Sequence, residues 1–296
     1  MNHFKTIHSF FAANNWPAPE HTLICPVRCD LNCLPIERAF TSDFYFIGFK
    51  KLKSGIIRYG RTKYDHENGS MSFVRPQQFI QFQDLEFEED GFMIFFHEDY
   101  LNGHPLHSEI KKYGFFDYIA NEALHLSPKE EQTIWDLFFK IEGEYKNNTD
   151  EYSRDIILAH LDSILKYSQR FYKRQFINRN IVSGHTVSKF NNTLSGYFEQ
   201  GLVEAQGLPT VNYMASALHV SPRYLSDLLK EETGKTAIEL IHIFLISEAK
   251  NLLAAPDLSI SETAYKLGFE NLPYFSRLFK KEVGLSPNQF RKQALN

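Results

Sequence analysis

An α+β chain in two parts, an all-β front and an all-helical back, is what this sequence predicts, and three observations carry it. Between residues 21 and 100 lie short runs rich in aromatic and β-branched residues, set apart by Gly, Pro, Asn and Asp, the pattern of an antiparallel sandwich or barrel. After about residue 105 the apolar residues change to helical spacing. An eleven-residue phrase then occurs twice, as YLSDLLKEETG at Tyr224–Gly234 and YFSRLFKKEVG at Tyr274–Gly284, with six positions identical at an offset of 50.

Length and composition agree with that division. A chain of 296 residues suits two domains, and 43% apolar residues with 27 Phe supply real cores, which argues against disorder. Apolar runs such as Phe92–Phe96 and Ile241–Ile246 fall far short of the ~20 residues of a membrane span. The N-terminal stretch lacks the pattern of a secretory signal, and with three cysteines a reduced, cytoplasmic setting is expected. The net charge of -4 conceals a gradient: 16 Lys/Arg against 25 Asp/Glu in residues 1–162, five against none in 163–185, and eleven against eleven in 186–296. Because non-specific affinity for nucleic acid follows the number of phosphates neutralised, only a local basic surface is compatible with these counts.

In chain order, residues 1–20 hold Pro17 and Pro19 with no steady period and read as an irregular lead-in. HTLICPV, FYFIGFK, GIIRYGR, GSMSFVRP, QFIQFQ and GFMIFF read as strands, with Pro26, Pro35, Pro76 and Pro105 at strand ends or edges because proline cannot donate to a ladder. Ser127-Pro128 is a helix start, and Ile134, Leu137, Phe138 and Ile141 give the following helix one apolar face. A second amphipathic helix runs through Ile156, Ile157, Leu161, Ile164, Leu165 and Tyr167 into a basic phrase containing Lys166, Arg170, Lys173, Arg174 and Arg179. Their stripes either pack on the barrel or form a homodimer interface. Ile181–Thr186 is the linker, and beyond it helices are expected at about 188–203, 211–218, 222–233, 237–254, 260–267, 273–283 and 287–294. Capping-box spacing at Thr236/Glu239 and Ser259/Glu262, and helix-ending Gly234 and Gly284, support these bounds.

Each copy of the phrase supplies the parts of a helix-turn-helix. Leu225, Leu228 and Leu229 would hold one helix to the core and leave Arg223, Ser226, Asp227 and Lys230 on its outer face; Phe275, Leu278 and Phe279 would do the same for Pro273, Ser276, Arg277 and Lys280. Such a face suits a major groove, with Arg for guanine, Ser for bases or phosphates and Lys for phosphate. Arg277 is the foremost base-reading candidate. Asp227 would repel phosphates, which predicts weak binding by the first unit alone. The helix joining the units, at 1.5 Å per residue roughly 27 Å long and apolar nearly all round, would hold both outer faces as a buried rod.

From Ile260 through Ala264, Gly268-Phe269, Tyr274-Phe275-Ser276-Arg277 and Phe279-Lys280-Lys281 to Gly284, Ser286-Pro287 and Arg291, the sequence resembles the signature of AraC-family transcription regulators, and residues 188–296 are similar to their double helix-turn-helix domain. The resemblance implies promoter DNA and RNA polymerase as partners, control of transcription that is usually activation, and recognition residues at Arg223, Ser226, Asp227, Leu272, Pro273, Tyr274 and Arg277, beside Lys230, Ser276, Lys280 and Lys281. It further implies a cupin-like β-barrel sensor with flanking helices at 1–125, a helical dimerisation or linker region at 126–183, and the DNA-binding domain at 184–296. A small-molecule effector would then be met by inward residues, with Tyr45, Arg58, Tyr64, Phe73 and Phe82 as candidates. No cofactor is expected and no catalysis.

Two clusters support a rival reading, an enzyme carrying the same DNA-binding domain. Cys25, Cys29 and Cys33 are evenly spaced but lack a fourth ligand, and an alkyl-transfer repair protein would use such cysteines. His97, His104 and His107 could serve a cupin-type metal enzyme, yet the last two lie past the strands and read as loop histidines.

Overall fold

The computed structural model describes residues 2–29, 39–54, 69–81, 86–118, 122–147, 150–183, 186–254 and 258–294, in two compact units, Met1–Phe176 and Ile177–Asn296. The first unit opens with β1 (Asn2–Phe4) and α1 (Ile7–Ala13), where the sequence led us to expect an irregular lead-in. The Thr6 hydroxyl accepts from the Ser9 amide at 3.1 Å, capping α1, and Ile7, Phe10 and Phe11 turn one face inward. Seven residues are too few for that period to stand out in sequence.

Seven further strands follow: β2 (Ile24–Cys29), β3 (Ala39–Ser42), β4 (Phe44–Ser54), β5 (Ser70–Val74), β6 (Ile80–Gln81), β7 (Glu86–His97) and β8 (Leu124–His125). They form one sheet ordered β1-β3-β6, with β1 parallel to β3, and a second, antiparallel sheet ordered β2-β7-β4-β5-β8. Among the described residues neither sheet closes into a barrel. Both faces of the larger sheet are covered without closure. On one, Phe44, Phe46 and Phe95 pack with Phe10 and Phe11 of α1; on the other, Phe49 and Phe92 meet Trp135, and Phe92 stacks on Phe138 at 4.3 Å. A central strand buried on both sides reads as a nearly continuous apolar run, which is why FYFIGFK and GFMIFF lack alternation.

After β7 the chain makes short 3-10 turns and α2 (Leu106–Glu109), then the long helices α3 (Pro128–Lys146) and α4 (Ser153–Ser183). At the expected helix start Ser127 and Glu130 form a capping box, and Ile134, Trp135, Phe138 and Ile141 are buried. The apolar stripes of both helices are thus largely taken up within the unit, leaving Phe139 of α3, Ile156, Tyr167 and Ile177 of α4, and Tyr152 just before α4 exposed. Two members of the basic phrase are engaged locally: Lys166 pairs with Asp162 at 2.6 Å, and Arg174 Nη2 donates to Glu130 Oε2 at 2.8 Å.

The second unit is wholly helical among its described residues: α5 (Thr186–Glu199), α6 (Leu202–Gln206), α7 (Val211–Ala217), α8 (Pro222–Thr233), α9 (Ala237–Ala254), α10 (Ile260–Lys266), α11 (Leu272–Val283) and α12 (Pro287–Ala294). Its core draws Phe190 and Leu194 from α5, Met214 and Ala215 from α7, Leu225 and Leu229 from α8, and Ala264, Phe275 and Phe279 from the later helices. Helix α9 touches α8, α10, α11 and α12. It is not buried all round, however: Ile241, Leu245, Ala249 and Leu253 face the core, while Ile238 and Ile243 are exposed. One buried face is enough to make α9 the common support.

Candidate nucleic-acid interface

The first helix-turn-helix is α7, a tight turn and α8. Thr210 caps α7 by accepting from the Tyr213 amide at 3.1 Å, and Ser221 caps α8 by accepting from the Tyr224 amide at 3.2 Å. Between them the Val220 amide donates to Ala215 O, and His219 adopts a left-handed φ of 58° to close the turn. The second unit repeats this plan with α10 and α11. The Phe269 amide donates to Ala264 O, Gly268 takes the left-handed position at φ 86°, and Asn271 Oδ1 caps α11 by accepting from the Tyr274 amide at 2.9 Å. One additional residue, Glu270, lies between the turn and the cap, and it is the one-residue shift between the two copies. Replacing Asn271 with alanine should cost about 1 kcal/mol at this helix start and raise hydrogen exchange at the Tyr274 amide roughly fivefold; an unchanged rate would show that the cap is idle.

The outward residues of α8 and α11 differ in how they are held. On α8, Tyr224, Leu225, Leu228 and Leu229 are buried, whereas Arg223 and Lys230 are exposed and Ser226 and Asp227 half-buried. Arg223 Nε donates to Asp227 Oδ2 at 3.1 Å. On α11, Phe275, Leu278 and Phe279 are buried and Pro273, Tyr274, Arg277, Lys280 and Lys281 are exposed. Ser276 is half-buried, and Leu272 packs against the core. Arg277 has no side-chain partner among the described residues.

Three further contacts hold these helices in place. The Tyr274 hydroxyl lies 3.4 Å from His242 Nε2 on α9, and burial pulls that imidazole below its ordinary pKa, which favours the neutral ring beside the phenol. The equivalent Tyr224 is instead fully buried, so identical residues do different work. At the start of α9, the Glu239 carboxylate accepts from the Thr236 amide at 2.7 Å and its hydroxyl at 2.8 Å, and this holds it below the usual carboxylate range. Tyr197 of α5 donates to Gly207 O at 3.0 Å and fixes the chain before α7.

The remaining candidates belong to the unit Met1–Phe176. Tyr45 stacks on Phe96 and meets Phe116 edge-on, and Phe73 packs on Phe115 and Phe116, so both are buried aromatic core joined through Phe116. Arg58, Tyr64 and Phe82 lie outside the described residues, as does Cys33. Cys25 and Cys29 are buried, and burial pushes the Cys25 thiol up to about 11, away from the thiolate that nucleophilic or metal chemistry needs. His97 lies 3.2 Å from Asp99 Oδ2, His107 lies 3.2 Å from Glu98 Oε1, and His104 Nδ1 accepts from the Leu106 amide at 3.1 Å. Among the described residues no three His, Cys, Asp or Glu side chains come together to hold a metal. No described helix is long and apolar enough to cross a membrane.

Residues 214–293 match the family model described as a helix-turn-helix domain. The chain is similar to the uncharacterized HTH-type transcriptional regulator YfiF of Bacillus subtilis, 33% identical over 47% of this chain and 41% of that protein. It is also similar to the xylose operon regulatory protein of Haemophilus influenzae, 38% identical over 27% of this chain and 21% of that protein. The matches thus span less than half the length of these relatives. Among solved structures, the C-terminal domain of AraT, a response regulator from Geobacillus stearothermophilus, is 34% identical, with 35% of this chain and 84% of that chain covered and a TM-score of 0.31.

Proposed function

The C-terminal domain of this chain is an AraC-type helix-turn-helix domain, and on that premise we propose that the protein is a sequence-specific regulator of transcription that reads promoter DNA with α8 and α11. One observation carries the reading: two capped helices, each braced by buried Leu or Phe residues and each presenting an outward arginine, are supported by the same helix α9. Lysines suffice for a phosphate-binding surface; outward arginines at the start and middle of braced helices also offer the paired donors that grip guanine.

The front unit is the cupin-like sensor and dimerisation part of this reading, with regulation by activation and RNA polymerase as a further partner. Support comes from the exposed Tyr152, just before α4, and Ile156 and Tyr167 on α4, apolar residues that a second copy would cover. Regulation rather than catalysis is favoured by the buried, high-pKa Cys25 and by histidines already paired with Asp99 and Glu98.

In vitro selection from a random duplex pool with the full chain tests the proposal. The expected result is an enriched motif, with two half-sites about one helical turn, ~34 Å, apart if both units engage. A pool that emerges with no enriched sequence would sink it.

A further inference from the structure

Asp227 stands where an acidic side chain should hinder DNA binding, yet its geometry gives it another task. Arg223 lies in the first turn of α8, its side chain 50% exposed, and its Nε donates to Asp227 Oδ2 at 3.1 Å while Asp227 is 26% exposed. The Nε–H is the innermost donor of the guanidinium. Holding it leaves the terminal pair of amino groups, the pair that grips O6 and N7 of guanine, turned away from the helix. We propose that Asp227 is a positioning residue that pre-aims Arg223 at a guanine edge, so that the first helix-turn-helix reads sequence and does not merely lean on phosphate. The proposal rests on the reading of α8 as a DNA-reading helix.

Helix stability does not account for the pair. Arginine in a first turn opposes the helix dipole, and α8 has no acidic residue there. An Arg followed four residues later by an acid is also the less favourable order for an ion pair along a helix. The first choice works against α8 as an isolated helix and the second stabilises it less than the reverse order would, and both become sensible if the guanidinium is needed near the N-terminal end, where recognition helices reach base edges. Holding the side chain before DNA arrives also reduces the rotamer freedom lost on binding. Its charge is partly offset by Asp227, so this contact should contribute discrimination with little salt dependence.

The second unit uses the opposite arrangement. At the offset of 50 its corresponding positions are Pro273 and Arg277, so its arginine sits one turn further along α11 with no acidic partner among the described residues. One unit therefore carries an aimed arginine and the other a free one.

The test uses the full chain and the duplex recovered from a random pool, together with duplexes changed one base pair at a time. R223A should flatten discrimination at one base pair by about 5- to 150-fold, and D227A should flatten it at that same pair by about 3- to 10-fold, with the slope of binding against salt nearly unchanged. D227N, which keeps an oxygen for Arg223 Nε, should retain most of the discrimination. The proposal is overturned if D227A leaves discrimination intact while tightening binding to every duplex, the behaviour of a merely repulsive charge. It is overturned equally if D227N loses as much as D227A, or if R223A changes no base preference while R277A does, in which case the DNA-reading function stands without it. A parent protein that selects no sequence removes the function and the proposal together. Circular dichroism of each variant should match the parent, since Arg223 and Arg277 are exposed and Asp227 is half-buried on the outer face of α8.

Discussion

Gly268→Ala is expected to destabilise the C-terminal unit by about 2–5 kcal/mol, the sum of a left-handed backbone penalty and overpacking in a filled site. The backbone at Gly268 has φ 86°, a conformation that residues with a Cβ rarely adopt. A Cβ there would also stand 2.6 Å from Val203 Cγ2, 2.9 Å from Gly207 C and 3.0 Å from Leu208 N. The side-chain methyl could yield, but the two backbone atoms cannot without moving the segment between α6 and α7, which Tyr197 pins through its bond to Gly207 O. The turn that sets α11 against α10 therefore depends on an absent side chain. His219 takes the same left-handed role in the first unit with a side chain in place, so His219→Ala should change stability little. Hydrogen exchange of the most protected amides in α9 would measure both variants. A loss under 0.5 kcal/mol for the Gly268 variant would disprove the close approach.

The helical half was the more legible in sequence because independent local signals agree there. Ser221-Pro222, Ser259 with Glu262, and Gly234 and Gly284 mark helix ends that the structure places where the text puts them. The front was less legible for physical reasons. Helix α1 is too short to establish a period, and strands buried on both faces by Phe10, Trp135 and Phe138 carry no alternation from which sheet closure could be judged. The outward faces of α8 and α11 were named correctly as exposed in Arg223, Lys230, Arg277 and Lys280. Their couplings were not: the Asn271 cap, the His242–Tyr274 contact and the hold of Asp227 on Arg223 depend on rotamers and on the relative height of neighbouring helices. A one-letter charge tally reads Asp227 as repulsion; only the 3.1 Å contact shows which donor of Arg223 it occupies.

Arg277→Ala should weaken binding to the selected duplex by about 1–3 kcal/mol, roughly 5- to 150-fold in Kd, and abolish preference at one base pair. The expectation rests on position and freedom. Arg277 is exposed in the middle of α11, one turn after the capped start, between Phe275 and Leu278 that hold the helix to the core. With no ion pair among the described residues, all five guanidinium donors remain available to a guanine. The same freedom carries a cost, because the side chain must be ordered on binding; the net gain is then smaller than for an arginine aimed in advance, but its loss leaves no neighbour able to replace it. Lys280 and Lys281, exposed on the last turn, provide the internal contrast. Removing either should weaken all duplexes alike and lower the salt slope by about one, the behaviour of a phosphate contact. Equilibrium titrations of matched and single-substituted duplexes at several salt concentrations separate the two behaviours. If R277A kept its base preference and lost only salt dependence, Arg277 would be a phosphate anchor, and sequence reading by α11 would pass to Tyr274 and Ser276.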